Sequence, residues 1–444
     1  MKKEMSGMRR NNLFVRLLLI IAVVISLVLS FLIWTNNQRY ERKTDTETTT
    51  KREETTSEQG NFEQVYLPTQ IINVTKNKQH HLIYDHQVSL ATELRDTMKE
   101  WHFGLARNSH QNYADLINSP QTLQLGYHDF ISLKLFGKVE SQSVLQKATR
   151  DRKFTRIIFS TDAKLKTVYF INDTTKQIWQ SKVSNAKSSQ IAKLIKAADF
   201  STTIRQKYLN GKLRTFYDES VSLTPYSYLI NRRNENTYIS ALLSDSSNSA
   251  VDTRESGGKT IYYGGSYRNR QLTVDHRRDQ LKFVDNTTTD LPESLKALLE
   301  KGFTAINDVD NPLTDVRYFG SDENDHTVSY RSYVEGFPIF QQSDFGAFEV
   351  NFNHTGSTIN FSSRTLQVPV PSKSDKVVLP ATLDMINQLI NVGYTEKQIK
   401  DFAIGYRWVP DTDETDIVDL KPTYYVKINN RWRDYQDWLA DKTE

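Results

Sequence analysis

The chain has 444 residues, 57 basic and 53 acidic side chains and a net charge of +4, with no long basic block, so it lacks the electrostatic footprint of a nucleic-acid-binding protein. It contains no cysteine, which excludes disulfides, thiol catalysis and lipoprotein anchoring. Hydrophobic residues make up 38% of it, but 22 Tyr, 21 Phe and 6 Trp supply enough bulk for ordinary cores, and the length suggests about three domains.

The first element is an apolar run from Leu13 to Trp34, uncharged from Leu17 to Gln38. At about 1.5 Å per residue it makes a helix of roughly 33 Å, enough to cross a bilayer core. It is too long for the core of a cleaved signal peptide and lacks a good small-x-small cleavage site, so a permanent membrane anchor is expected. Within it Ala22, Ser26 and Ser30 recur at every fourth position and place three short side chains on one face. In lipid such a face lets a second helix approach closely, so these three are the candidate partner-binding residues. The basic residues flanking the run tie: Lys2, Lys3, Arg9, Arg10 and Arg16 before or at its opening, Arg39, Arg42, Lys43, Lys51 and Arg52 after it. Because a short basic tail before a first helix usually stays inside, residues 1–12 are expected in the cytoplasm and the bulk of the chain outside the cell.

Residues 35–61 are rich in Thr, Glu, Lys and Arg and cannot bury a core, so they are read as a disordered tether. Three extracytoplasmic domains are expected after it, at 62–200, 201–290 and 291–444. VYLPTQII (Val65 to Ile72) reads as a strand interrupted by Pro68. Val88, Ala91, Leu94, Met98 and Trp101 mark an amphipathic helix, as do Ile191, Leu194, Ile195 and Ala198. RIIFS (156–160) and TVYFIN (167–172) are β-branched and aromatic strands. In the second domain LRTFYD (213–218), KTIYYG (259–264) and QLTVDH (271–276) read as strands, punctuated by Gly257-Gly258 and Gly264-Gly265.

The third domain opens with LPESLKALLEKGF (291–303), a helix with Pro292 in its first turn and Gly302 as its stop. Residues 326–340 read as strand, turn at Gly336, strand. In AFEVNFN, Phe348, Val350 and Phe352 alternate with Glu349 and Asn351, and INFSSRTLQV follows as another strand. Leu383, Ile386, Leu389 and Ile390 share one face of a helix ending at Gly393, and Thr395 with Gln398 forms a capping box opening another helix over TEKQIKDF. IGYRWV and PTYYVKIN close a sheet, with Tyr424, Val426 and Ile428 on the face opposite Tyr425 and Lys427. The fold class is α+β, mainly antiparallel sheets flanked by helices behind one transmembrane helix.

No motif for chemistry is complete. His80, His81, Asp85 and His86 form the densest metal-type cluster but read as a surface strand. The acidic runs from Asp308 and Asp411 miss the Gly and the closing Glu of a calcium loop. Ser184 and Lys187 fit S-x-x-K without its companion motifs, and Gly264 to Arg268 fails G-x-S-x-G at its last position. No enzymatic activity, metal or cofactor is expected.

RSYVEGFPIF (Arg331 to Phe340), LKPTYYVKINNRW (Leu420 to Trp432) and VYLPTQII resemble segments of the YycH family, and the overall layout matches its plan. The resemblance implies three extracytoplasmic domains, the last two like YycI. It also implies a membrane-anchored regulator that acts with a YycI-type membrane protein on the sensor histidine kinase WalK (YycG), which controls cell-wall metabolism, through contacts between spanning helices. The competing expectation is an exported module that binds wall polymer or a small ligand, with the helix as a tether.

Overall fold

The structure, a computed structural model, describes Leu19 and then residues 62–443, except 87–88, 163–164, 245–250, 288–289, 314, 341–342, 344, 372–374 and 411–415. The expected spanning segment, its Ala22, Ser26 and Ser30, and the expected tether lie outside the described residues, Leu19 apart. Among the described residues no helix is long and apolar enough to cross a membrane.

Alternating β-branched and aromatic residues dictate most of the architecture, which is two large sheets with helices packed on them. Eight strands build the first sheet: β1 (Gln70–Val74), β2 (His80–Tyr84), β3 (Thr122–Ser132), β4 (Lys153–Ser160), β5 (Thr167–Asn172), β6 (Gln177–Ser184), β7 (Phe200–Leu209) and β8 (Lys212–Tyr217). Their order is β8-β7-β2-β1-β3-β4-β5-β6, with short bridges at His102–Phe103 and Arg107–Asn108 on β6. Helix α1 (Leu90–Lys99), capped by the Ser89 hydroxyl, and helix α2 (Ser188–Ala197) are the two amphipathic helices legible in the sequence.

Strand β9 (Tyr226–Arg232) opens the second sheet. After it come β10 (Asp252–Ser256), β11 (Lys259–Gly264), β12 (Arg270–Asp275), β13 (Gln280–Asp285), β14 (Val316–Asp322), β15 (Thr327–Val334), β16 (Phe337–Phe340), β17 (Phe348–Asn353), β18 (Gly356–Ser362), β19 (Arg364–Val370), β20 (Ile399–Pro410), β21 (Ile417–Ile428) and β22 (Arg431–Asp434). The order is β10-β11-β12-β13-β18-β17-β15-β16-β20-β21-β9-β19, with β14 on β15 and β22 on β21. Among the described residues β16–β20 is the one parallel pairing. Residues 200–217, which open the expected second domain, extend the first sheet through β2. Strands β10 to β13 continue into β18 of the expected third domain.

Apolar packing runs across both sheets. One cluster joins Phe159 and Phe170 to Leu272, Val350 and Phe361; another joins Leu82, Ile204 and Phe216 to Phe402, Tyr424 and Ile428. Phe62 and Tyr66 sit where the halves meet. Phe62 packs edge-on against Phe303, 5.0 Å between ring centres, and the buried Tyr66 hydroxyl donates to Leu299 O at 2.5 Å.

Several local expectations are corrected. Residues 62–65 form a helical turn, so the strand after Pro68 begins at Gln70. Helix α3 (Leu295–Asp308) is capped by Ser294, leaving Pro292 outside it, and runs straight through Gly302. A Cβ at Gly302 would come within 2.7 Å of the Tyr330 hydroxyl, so this glycine lets the helix approach β15 rather than ending it. Helix α4 (Thr382–Asn391) buries Thr382, Met385, Ile386 and Leu389, whereas Leu383 and Ile390 are exposed. The Thr382 hydroxyl rotates the face by bonding Tyr217 N and the Tyr424 hydroxyl. The Thr395–Gln398 box forms, Thr395 N to Gln398 Oε1 at 2.8 Å, but it closes one turn before β20 begins at Ile399. Tyr425, on the face opposite Tyr424, is fully buried as well, stacked on Phe340.

Candidate functional site

Where the two sheets face each other they leave a cleft of about 280 Å³, lined from β1, β2, β3 and β8 on one side and from β20 and the β15–β16 hairpin on the other. Two local devices shape it. The β7–β8 hairpin turns at Asn210 and Gly211, both with positive φ, and projects out to meet the second sheet. In β3 the register with β4 shifts between Gly126 and Ile131, a bulge that carries His128 and Asp129 out of the ladder.

Asp401 lies directly behind Arg214 and His128, which line the floor. It is 3% exposed, sits at a bulge in β20, and receives both Arg214 Nε and Arg214 Nη2, the latter at 2.7 Å. His128 Nε2 lies 3.6 Å from the same carboxylate while its ring stacks on Phe319 at 4.1 Å. Burial alone would push the Asp401 carboxyl up; the Arg214 guanidinium and the His128 ring outweigh it and hold it well below the usual carboxylate range. Burial also pushes the His128 imidazole down, against the pull of Asp401. The hairpin is fastened beside this pair by Asn210 Nδ2 to Ile399 O at 2.6 Å and by Phe216 edge-on to Phe402 at 5.1 Å. A second buried pair, Arg156 with Asp173 at 3.1 Å, completes the charged floor and is shared with Gln124, Thr155 and Tyr113.

The rim differs. The β15–β16 turn is Glu335-Gly336, both with positive φ, and it sets the Glu335 carboxyl among Tyr84, Tyr226 and Phe337. Burial, then the nearby Asp199 and Asp85 carboxylates, push the Glu335 carboxyl up to about 8. His86 Nδ1 is 2.7 Å from Asp199 Oδ1, and His86 Nε2 is 3.9 Å from Glu335 Oε2, beyond hydrogen-bond reach.

The motifs examined in the sequence are not brought together here. Of the HHLIYDH cluster, Asp85 and His86 line the cleft, while His80 is buried within the first sheet and His81 lies beside Ser201. Among the described residues no three His, Asp or Glu side chains converge as a metal site. Ser184 is exposed at the end of β6, and Lys187 pairs with Glu100. Tyr267, in the Gly264 to Arg268 stretch, is fully exposed. Asp310, of the first acidic run, pairs with Arg233, and most of the second run lies outside the described residues. Buried ion pairs and aromatic walls suit the cleft to recognition. Sequence reading missed Arg214, Asp401, His128 and Glu335.

Compared with known proteins, residues 14–199 match the family model for the YycH protein N-terminal domain, and residues 215–442 match the model for its C-terminal domain. Among solved structures the fold is similar to YycH from Bacillus subtilis, with a TM-score of 0.65 and 13% identity over 84% of this chain and 96% of that one. No curated protein matches the chain.

Proposed function

The chain belongs to the YycH family, and from that premise we propose that it is a membrane-anchored accessory regulator of a two-component sensor histidine kinase controlling cell-wall metabolism. The observation that carries this reading is the extent of the family match. It covers both halves and begins at residue 14, inside the apolar run. In this account the anchor crosses the cell membrane once, with residues 1–12 in the cytoplasm and residues 62–444 outside. Ala22, Ser26 and Ser30 pack against spanning helices of a WalK/YycG-type kinase and of a YycI-type partner. The chain changes signalling by binding one kinase state more tightly than the other; about 1.4 kcal/mol of difference shifts their ratio tenfold.

Single cysteines placed along 17–34 test this reading, since the chain has no background thiol. Cross-links to the kinase or the YycI-type partner from positions on the Ala22 face, and not from the opposite face, are expected. A uniform absence of cross-links in cells where the protein is present would overturn it.

The cleft of about 280 Å³ favours a second reading, an exported ligand-binding module on a passive tether. Exchanging the apolar run for an unrelated spanning helix separates the two: a passive tether tolerates the exchange, and the regulator does not.

A further inference from the structure

Several buried or half-buried carboxylates in this chain are given a cation. Asp401 has Arg214, Asp173 has Arg156, Glu63 has Arg95 and Lys99, and Asp279 has Arg364. Glu335, like the buried Glu140, has no cation within hydrogen-bond reach among the described residues, and of the two it is Glu335 that lines the cleft. Its side chain is 12% exposed, and its Oε2 is shielded from solvent and accepts no hydrogen bond. The groups facing it are Asp85 and His86 after β2, Asp199 before β7, Tyr84 on β2, Tyr226 on β9 and Tyr406 on β20. Two of these are further carboxylates. The one nitrogen base, His86, commits Nδ1 to Asp199. The surrounding rings form a cup: Tyr84 stacks on Phe200 at 4.1 Å, and Phe337 stands edge-on to Tyr84 at 5.4 Å.

A carboxylate held in an aromatic pocket with no cation within hydrogen-bond reach is complementary to an organic cation, because ring faces and carboxylate attract the same charge. Aromatic walls favour an alkylammonium over a metal ion, which needs several converging oxygens. We propose that the Glu335 end of the cleft receives a primary ammonium group, of the kind carried by a lysine side chain or an alkyl diamine, with its methylenes against Tyr84 and Phe337. The Glu335 carboxyl is protonated below about pH 8, so the arriving ammonium displaces that proton. Binding is then coupled to proton release and tightens as pH rises. The site needs no kinase, so its fate is separate from that of the regulatory reading.

The test is titration calorimetry on the full chain in lipid nanodiscs. The probes are Nα-acetyl-lysine methylamide, its Nε-acetylated twin and 1,5-diaminopentane. At pH 8 the lysine amide binds and the acetylated twin does not. Binding by the diamine as well assigns the site to free amines, whereas binding by the lysine amide alone assigns it to a lysine-bearing peptide. Apparent affinity falls by up to about tenfold per pH unit from 8 to 6, and the heat depends on the buffer's ionisation enthalpy. Glu335→Gln weakens binding at least tenfold and flattens the profile, whereas His86→Gln keeps it. Equal binding of the acetylated twin, no binding by any probe, or a profile that disappears in His86→Gln instead would overturn the assignment. The comparison of free with acetylated probe needs no variant, so a misfolded Glu335→Gln protein leaves the test intact.

Discussion

One carboxyl group lies behind the floor of the cleft and another on its rim, and their surroundings push the two in opposite directions. Asp401 has a guanidinium on both oxygens and an imidazole beside them, and stays ionised far into acid. Glu335 has aromatic walls and two like charges, and is pushed up to about 8. Burial costs both of them; the difference is whether the fold supplies a cation. At the floor the cation comes from the β7–β8 hairpin, whose residues 200–214 lie between the two family matches, so the ion pair bolts the first sheet to the second. At the rim no such bolt exists, and a turn with two positive-φ residues holds the acid in place.

The comparison is broken most strongly at the floor. Asp401→Asn leaves Arg214 buried beside a neutral amide and is expected to cost about 3–5 kcal/mol in denaturant unfolding. A loss under about 1 kcal/mol would mean that the pair contributes little to joining the sheets.

The rim gives the next effect, and its sign is opposite to the usual carboxylate. The folded state holds the Glu335 proton more tightly than the unfolded chain does. The stability this contributes is fully present below about pH 4.5 and is lost as pH rises to about 8. The total is at most about 5 kcal/mol. Glu140 is also pushed up to about 8 and contributes with the same sign, so the quantity to measure is wild type minus Glu335→Gln across pH 5 to 8. A difference that does not change with pH would show that Glu335 is ionised throughout. Asp401 adds no slope in this window, because its stabilisation is lost only as pH falls below the range of ordinary carboxylates.

His128→Phe sharpens the contrast with the smallest effect. The stack on Phe319 is kept and the neutral contact to Asp401 is lost, so a change within about 1 kcal/mol is expected. A loss as large as that of Asp401→Asn would mean that the imidazole is charged.

Elements whose signal is local were legible in the sequence. The 327–340 hairpin follows from its Glu335-Gly336 turn, and β17 from the clean alternation of Phe348, Val350 and Phe352. Where a distant contact decides, local reading went astray. Glycine usually stops a helix, so local reading ends this one at Gly302, yet Tyr330 requires it within the helix. Periodicity puts Leu383 and Ile390 on the same helical face as Ile386 and Leu389, yet Thr382 turns the helix by a hydrogen bond to a strand 165 residues away and leaves both exposed. Gln398 caps one turn, because β21 claims the following residues for β20. The cleft was hidden for the same reason. Arg214 and Asp401 are 187 residues apart, and neither looks unusual until the two sheets meet.

The regulatory account is tested most directly by replacing Ala22, Ser26 and Ser30 together with Leu and reading a kinase-dependent promoter in cells at matched protein levels. Filling the small-residue face removes the close approach of a partner helix, so promoter output should shift to that of a strain lacking the protein. Output indistinguishable from that of the unmodified chain would contradict the account.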